Sequence, residues 1–465
     1  MIEQTAVRSV FGLLQSYWVH LSVLALVLTV LVSFRKLQNA EKRSNAEKEQ
    51  TFFLTILYVM VKSGKTVFQS FKEAAARKNF LSHLSSVASY IVRDSESRTL
   101  AESMRRFVHP SKEFMLLMGS LGEDLEGGFG VVEKLEKLIE QAIMRETDRW
   151  RRYVETVETL GEVVVAVILL IPLVYIVGGL LGGFPLIYAV VIAVAAASVF
   201  YVVSTASEPL HLVDLPKWTI VVSAGLLLAS GGLLFLGLLG FSPQTTGLAV
   251  AFTSLAWGLF VHFRYLRVSV AEGEAAFLLL DSVAARLRAG YPIGRSLETV
   301  SDPRYSRYAL SVARGLSLRP FNRFMSLAME TVKIARLGGL GSEALGLLAR
   351  LALAIHLSFT GARNRMKLYT ALALGSGAAI VLVSAIVVLP FTQVPAPVEA
   401  EVQKLIIIPQ IEPVLPLAML VSYTLGAVVA KVEDQTIACT WRAGAGVLIT
   451  LITYFIVQAF IPAQI

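Results

Sequence analysis

Eight apolar runs, each close to the ~20 residues that a helix needs to cross a hydrocarbon core, alternate with polar stretches along this chain. In the polar stretches the apolar residues recur three and four positions apart, without the strict alternation typical of strands, and this spacing predicts helices throughout. The predicted helices include 74–91 in the first polar block and 277–289, 305–314 and 320–337 in the second. With 55% apolar residues in 465, the pattern indicates an integral membrane protein. The predicted spans are 17–34, 162–182, 184–204, 218–240, 246–263, 368–390, 413–430 and 443–460.

A helix, a glycine and a second helix occur in each of the two large polar blocks. In the second block an apolar stripe leads to Gly290, and in the first a similar stripe leads to Gly64; Ser296 and Ser70 follow the two glycines by six residues. Both glycines are predicted to end a helix in the left-handed conformation. The recurrence indicates an internal duplication, in which each half consists of a span, a helical block and three further spans.

A second glycine pattern follows in each block and precedes the next span. It is Gly127-Gly128 in the first block and Gly338-Gly339 in the second, each continuing to a third glycine two positions later. We interpret both as sharp turns between packed helices, where any Cβ atom would clash. Within the fourth span, Gly231 and Gly232 are expected to allow close packing of helix backbones.

Charge orients the predicted spans. Of 42 Lys and Arg residues, 21 lie in 35–161 and 16 in 264–367, so both blocks are predicted to be cytoplasmic and both termini to lie outside the cell membrane. An even number of spans per half makes the two repeats parallel. The predicted divisions are an N-terminal segment and first span (1–34), a first cytoplasmic domain (35–161), four spans (162–263), a second cytoplasmic domain (264–367), and three spans with an external loop at 391–412 (368–465).

Basic residues are candidates for contact with a partner. They crowd the second block, where 7 acidic residues face 16 basic ones. A solvated or lipid-facing surface is one interpretation, and docking of an acidic cytoplasmic protein is the other; nucleic acid is not expected as a partner. The candidate residues are Arg286, Arg288, Arg295, Arg304 and Arg307, with Lys62 and Lys65 in the first block.

No catalytic, cofactor or metal site is predicted. Ser63-Gly64-Lys65-Thr66 resembles the end of a phosphate-binding loop, but Val59 stands where the upstream glycine is required and a helix precedes it. The six histidines show no spacing typical of metal ligands, and the spans contain no series of ionisable residues for proton transfer. Cys439 is the sole cysteine, so the chain has no intramolecular disulfide.

Taken together, the two glycine-marked helical blocks resemble those of the type II secretion F family. The long form with many spans looks like the archaeal membrane platform protein of type IV pili and archaella. The first block departs from that pattern, since Lys65 follows the glycine where proline is usual and the stretch before the Gly-Gly turn is longer.

The resemblance implies an all-α membrane platform that is not itself an enzyme. Its implied partners are a cytoplasmic hexameric secretion ATPase, pilin subunits and membrane lipids, and a homodimer would fit. Family knowledge places the ATPase contact on the cytoplasmic blocks, which would put Arg286, Arg288 and Arg295 near it. A permease for a small solute and a membrane-bound enzyme are the alternatives.

Overall fold

The computed structural model describes residues 42–77, 81–127, 130–180, 212–238, 242–392 and 414–460. Within these ranges the regular structure is helical, and the one extended pairing is an isolated bridge between Val213 and Asn322. The predicted all-helical fold is therefore confirmed in the described residues. The helices are α1 (42–62), α2 (Val67–Ala76), α3 (Leu84–Asp94), α4 (Leu100–Arg105), α5 (Lys112–Glu126), α6 (Val131–Leu180), α7 (Lys217–Leu238), α8 (Pro243–Val261), α9 (Arg267–Arg288), α10 (Ile293–Glu298), α11 (Ser306–Ala313), α12 (Arg323–Gly338), α13 (Ser342–Thr392), α14 (Val414–Asp434) and α15 (Trp441–Phe460).

The chain divides into two compact units, Met1–Leu138 and Ile139–Ile465. In the first unit α1 to α5 and the start of α6, up to Leu138, form a helical bundle, which we call the first bundle. Its centre is aromatic: Phe53 of α1 meets Phe71 of α2 and Phe114 of α5 edge to face, with ring centroids 5.6 and 5.9 Å apart, and the three side chains are fully buried. Burying three phenylalanines provides much of the hydrophobic stabilisation that a bundle of this size requires.

The second unit contains a second bundle and a set of apolar helices. The second bundle consists of α9 to α12 with the first half of α13. The apolar helices are α7, α8, the second half of α13, α14 and α15, and their facing side chains form one continuous core. Among the described residues, five helical segments are long and apolar enough to cross a membrane, namely Lys217–Leu234, Pro243–Arg288, Ser342–Ile386, Val414–Asp434 and Trp441–Phe460.

These five segments overlap the predicted spans at 218–240, 246–263, 368–390, 413–430 and 443–460. The predicted spans 17–34 and 184–204 lie outside the described residues, as does most of the predicted external loop 391–412. Residues 162–180 of the remaining predicted span are helical and continue α6. The structure thus has the apolar helices expected of a membrane protein.

Three helices run without interruption between a bundle and an apolar segment. The longest, α6 and α13, have 50 and 51 residues, which corresponds to about 75 Å at 1.5 Å per residue and is more than twice a hydrocarbon core of ~30 Å. The third connection is α8 and α9, which are continuous through a π turn at His262–Leu266. The sequence predicts a separate helix that begins at Phe277 in the second bundle. In the structure this helix begins earlier and is continuous with the span before it.

The two helix–glycine–helix segments have the same local geometry. Gly64 and Gly290 have φ angles of 90° and 84°, in the left-handed region that glycine adopts without strain. The serines six residues later, Ser70 and Ser296, are fully buried, and each hydroxyl donates to the carbonyl four residues before it at 2.9 and 3.0 Å. A buried hydroxyl satisfied by its own helix needs no partner elsewhere, so both serines pack as small core residues.

The Gly-Gly turns require glycine for a different reason from the one predicted. Gly338 is the last residue of α12, and Gly339 caps it with φ of 74°. No heavy atom lies within 4 Å of the position a Cβ would take at Gly339, so the expected clash is wrong there and the positive φ is the constraint. Gly127 caps α5 in an ordinary right-handed conformation, and Gly128 lies outside the described residues.

Close packing of the apolar helices depends on glycines that sequence reasoning did not select. A Cβ at Gly258 of α8 would lie 1.9 Å from the backbone nitrogen of Trp441, and one at Gly444 would lie 2.7 Å from the carbonyl oxygen of Ala251. These glycines let α8 and α15 approach backbone to backbone. Gly231 and Gly232 have open space around them, so the packing role predicted for them is wrong within the described contacts.

Candidate functional sites

Arg286, the first of the candidate arginines, holds the second bundle together. From the last turn of α9 its guanidinium donates to the carbonyl oxygens of Ser296 and Thr299, at 3.3 and 3.2 Å, and to the Thr299 hydroxyl. A charged donor near the last carbonyls of a helix both satisfies them and complements the helix dipole. Arg286 therefore fixes α10 against α9, and its charge is largely committed within the bundle.

Arg304 and Arg307 face carboxylates of the same bundle. Arg304 makes ion pairs with Asp302 at 2.7 Å and with Glu274 at 3.0 Å. Arg307 lies 3.6 Å from the buried carboxylate of Glu272. Glu274 precedes Arg288 by 14 residues on α9, or about 21 Å. The five candidate arginines therefore do not form one cluster.

Arg288 and Arg295 are exposed, and they make no hydrogen bond or ion pair with the described residues. Arg288 lies beside Gly346 near the start of α13. Arg336, at the end of α12, donates to the carbonyl of Ala313 at 2.6 Å, so the ends of α11 and α12 meet at this end of the bundle as well. Arg288 is 22 residues, or about 33 Å, along α9 from the end of the π turn, so it lies at the end of the bundle that is far from α8. We call this end of the second bundle the distal tip.

Exposed apolar side chains accompany the two free arginines. Tyr291 is 51% exposed, Leu316 61% and Leu337 83%, each at or just beyond the end of one of the helices that reach the tip. Aromatic and arginine side chains are the types most enriched in the central contacts of protein interfaces, and lysine and acidic residues are depleted there. The distal tip thus combines unpaired positive charge with apolar area that a partner could cover.

The two candidate lysines of the first bundle differ from each other. Lys65 makes an ion pair with Glu73 at 2.9 Å, and this hydrogen bond lowers the pKa of Glu73 despite partial burial. Lys62 is exposed and makes no ion pair with the described residues. One turn after the glycine, Phe68 of α2 is 41% exposed. The glycine turn of the first bundle therefore also carries a free cation and an exposed aromatic ring.

Each bundle contains a buried glutamate that the sequence did not single out. Glu272 is 3% exposed and accepts hydrogen bonds from the Tyr308 hydroxyl at 2.6 Å and from the backbone amides of Phe321 and Asn322 at 2.7 and 2.8 Å. Burial, followed by the hydrogen bond to Glu272, raises the pKa of Tyr308. The tyrosine hydroxyl consequently stays a donor at any physiological pH.

In the first bundle, Glu49 likewise accepts hydrogen bonds from backbone amides. It is also 3% exposed, and it accepts from the amides of His83 and Leu84 at 2.9 and 2.8 Å and from the Ser82 hydroxyl. In both bundles the carboxylate lies on the helix that leads to the glycine turn and satisfies free amides just before another helix begins. A glutamate on a helix is usually solvated, so its sequence context gave no signal of burial.

A buried group of four charges, which we call the charged joint, lies where α13, α14 and α15 meet. Arg442 is 2% exposed and pairs with Glu433 at 2.9 Å and with Asp434, which is fully buried. Arg363 of α13 approaches the same two carboxylates at 3.5 and 3.3 Å, and Thr370 donates to Glu433 at 2.7 Å. Two positive and two negative charges neutralise one another locally, which is the condition under which buried charges are tolerated.

Three potential metal ligands converge beside the charged joint. One ligand atom each of His262, Asp434 and Cys439 lies within 4.8 Å of the others, and the thiol sulfur is 3.8 Å from Nδ1 of His262. Residues 262 and 439 are 177 positions apart, so their spacing could not reveal the group. Asp434 is already paired with two guanidinium groups, and burial raises the pKa of the Cys439 thiol. Both effects disfavour the anionic ligands that a divalent cation needs.

His83 and His109 of the first bundle also meet, with their Nε2 atoms 2.9 Å apart. Nδ1 of His109 accepts from the amide of Ser111 at 3.1 Å, so the proton of a neutral His109 ring belongs on Nε2. Burial, and then the charge of His83, lowers the pKa of His109. The pair is a partly buried contact between two imidazole rings and was not predicted, because the residues are 26 positions apart.

Comparison of the chain with known protein families, curated proteins and solved structures found no match. The described residues define the class of the molecule: an all-helical protein with five segments able to span a membrane, and with a helical bundle joined to them by uninterrupted helices.

Proposed function

We propose that this chain is an integral-membrane platform for assembly of a type IV pilus-like filament, which couples a cytoplasmic secretion ATPase to the insertion or extraction of pilin subunits. In this proposal it is a distant member of the type II secretion F family, with about eight spans in two parallel repeats and both bundles in the cytoplasm. No covalent chemistry is required of it.

The observation that carries the proposal is the continuity of bundle and apolar helices. A device that converts movement of a soluble motor into movement within the bilayer needs stiff connections, and an uninterrupted α-helix supplies one. The helices α6 and α13 and the joined pair α8–α9 each extend from bundle residues into apolar segments. A protein that merely displayed a cytoplasmic domain could use flexible linkers instead.

Shared details of the two bundles support a duplicated architecture. Both have a left-handed glycine, a buried serine six residues later and a buried glutamate on the leading helix. The two glutamates, Glu49 and Glu272, precede their glycines by 15 and 18 residues, a difference of about one helical turn. Two copies of one bundle would offer a hexameric motor two similar contact points.

The proposed ATPase contact is the distal tip of the second bundle. Of the candidate arginines, Arg288 and Arg295 make no hydrogen bond or ion pair with the described residues, whereas Arg286, Arg304 and Arg307 each make a hydrogen bond or ion pair with another residue of the bundle. Clustered free charge accelerates encounter with an acidic partner, and the neighbouring Tyr291 and Leu337 provide apolar contact after docking. Lys62 is the corresponding candidate in the first bundle.

A small-solute permease is the second candidate, and the charged joint is the observation that bears on it. Buried ionisable groups among apolar helices are typical of transport pathways. Here the carboxylates of Glu433 and Asp434, at the end of α14, are each paired with Arg442 and Arg363, which favours a fixed structural role. Solute-dependent uptake by vesicles containing the purified chain, with no motor present, would favour the permease.

The test is affinity purification of the full-length chain with its co-expressed secretion ATPase. We expect the ATPase to co-purify with the native chain, and the pair of substitutions Arg288→Glu and Arg295→Glu to reduce its recovery at least tenfold. Arg365→Glu is the matched control, because Arg365 is an exposed arginine on α13, 19 residues or about 28 Å beyond Gly346. Equal recovery with both variants would remove the distal tip from the interface, and absence of any ATPase with the native chain would contradict the platform.

A further inference from the structure

A cavity at the base of the second bundle is lined by three arginines. Its volume is about 290 Å³, and Arg267, Arg304 and Arg307 contribute to its wall together with Ala271 and Tyr308. This volume is at the small end of ligand sites and suits a headgroup rather than a whole lipid or cofactor. The one acidic residue of the lining, Glu272, is occupied by its hydrogen bonds from Tyr308, Phe321 and Asn322.

Free hydrogen-bond donors face this cavity. Arg267 is exposed and makes no hydrogen bond or ion pair with the described residues. Arg307 uses one terminal nitrogen for Tyr308 and Glu272, and its other donors are free of the described residues. The charge of Arg304 is neutralised by Asp302 and Glu274, so Arg267 and Arg307 are the cavity arginines available to a ligand. Arginine presents several donors in a planar fork that matches the oxygens of a phosphate group.

The apolar surface next to the cavity indicates that a phosphate bound there belongs to a lipid. On α8 and the π turn, Phe252, Phe260 and Phe263 are 62%, 46% and 57% exposed, as expected of side chains that face lipid. Arg267 follows Phe263 by four residues and therefore lies one turn further along the same side of the helix. An anion in the cavity would thus lie directly above an apolar strip long enough to contact acyl chains.

We propose that this cavity binds the phosphate of an anionic phospholipid, with Arg267 and Arg307 as donors to its oxygens and the acyl chains along Phe260 and Phe263. Basic pockets at the ends of membrane helices bind anionic lipid headgroups in other proteins. The bound lipid would fix the depth at which α8 becomes α9 and hence the height of the second bundle above the bilayer. The site does not depend on the ATPase, the pilins or the side of the membrane on which the bundle lies.

The experiment is native mass spectrometry of the full-length chain in detergent, titrated with dioleoylphosphatidylglycerol and, in parallel, with dioleoylphosphatidylcholine. We expect one phosphatidylglycerol to bind in preference to phosphatidylcholine. Arg267→Gln should weaken that binding about fivefold, which corresponds to about 1 kcal/mol for one arginine at an anionic headgroup. Ala271→Trp, which fills the cavity without changing its charge, should abolish it.

Two matched variants separate the cavity from general surface charge and bulk. Arg264→Gln removes an exposed arginine three residues before Arg267 that does not line the cavity, and Ala285→Trp adds the same ring to an exposed position further along α9. Both should bind phosphatidylglycerol within twofold of the native chain. An equal loss with Arg264→Gln, or no effect of Ala271→Trp, would overturn the proposal.

Inorganic phosphate distinguishes a lipid from a soluble anion. Millimolar phosphate alone should not displace the bound phosphatidylglycerol, because it lacks the acyl contacts with the phenylalanines. Displacement by phosphate, with the same dependence on Arg267, would assign the cavity to a soluble anion and overturn the lipid assignment.

Discussion

The charged joint allows a quantitative prediction for Arg442. In Arg442→Met the fully buried carboxylate of Asp434 and the nearly buried carboxylate of Glu433 both lose their closest positively charged partner. Removing one member of a buried ion pair costs roughly 3–5 kcal/mol, because the remaining charge stays desolvated. Arg363 still approaches both carboxylates, at 3.3 and 3.5 Å, so we expect a cost of about 3 kcal/mol, at the lower end of that range.

Cys439 provides the assay. It is the chain's sole cysteine, it is fully buried, and its thiol lies beside the joint, 3.8 Å from His262. Its rate of labelling by a maleimide at fixed pH reports local opening of this region. When opening and closing are fast compared with labelling, about 3 kcal/mol corresponds to a rate increase of roughly 100-fold.

Two further variants make the experiment decisive. Arg151→Met breaks the exposed pair with Glu155 (3.3 Å), whose side chains are 72% and 57% exposed, and should change labelling by less than about fivefold. Adding Asp434→Asn to Arg442→Met removes one uncompensated charge and should reverse much of the increase. A folded Arg442→Met protein that labels at the native rate would refute the assignment of stability to the joint.

Three other outcomes are expected from thermal unfolding and amide hydrogen exchange of the full-length chain. Gly290→Ala should cost roughly 1–2 kcal/mol, because its φ is 84°, whereas Gly294→Ala, within α10 and free of contacts, should be neutral or slightly stabilising. In the first bundle, the protection of amides relative to their intrinsic exchange rate at the same pH should fall as the pH drops below about 6.5, because the lowered pKa of His109 means that folding favours the neutral ring; its contribution to stability is complete above the unfolded pKa and is lost below it. Glu272→Ala leaves three donors unsatisfied and should lower the melting temperature far more than Glu274→Ala, which breaks only an exposed pair.

Hydrophobic periodicity predicted most of the helices of the second bundle closely. The predicted ranges 305–314 and 320–337 correspond to Ser306–Ala313 and Arg323–Gly338, because Gly315 and Asn322 mark the boundaries chemically. In the first block, periodicity predicted one apolar-patterned helix from residue 74 to 91. The structure breaks it between α2 and α3, where the buried Glu49 accepts the free amides; a contact 34 residues away cannot be read from local pattern.

The sequence predicts a set of basic residues as candidates for contact with a partner. Only the structure shows which of them are paired within the bundles and which are free. Sequence shows that seven basic residues lie near the two glycine turns, but it cannot show which of them find partners. Arg286 caps α10 and Arg304 pairs with Asp302 because the chain folds back on itself after Gly290. The charged joint was missed for the same reason, since Arg363 and Asp434 are 71 positions apart; Arg363 lies before the apolar part of α13 and Asp434 ends α14, and a charge is ordinary at either place.

The position of the charged joint bears on how the proposed platform would move. The π turn between α8 and α9 is the natural place for a bend, because its hydrogen-bond pattern already departs from the α-helix. Yet His262 of that turn lies against Cys439, and Tyr265 and Leu266 are buried in a cluster with Ala438 and Cys439, so the loop between α14 and α15 braces it. Arg363 ties α13 to the same loop through Asp434. Force applied at the distal tip would therefore reach α14 and α15 as well as α8 and α13, and the second bundle would move together with its apolar helices instead of bending against them.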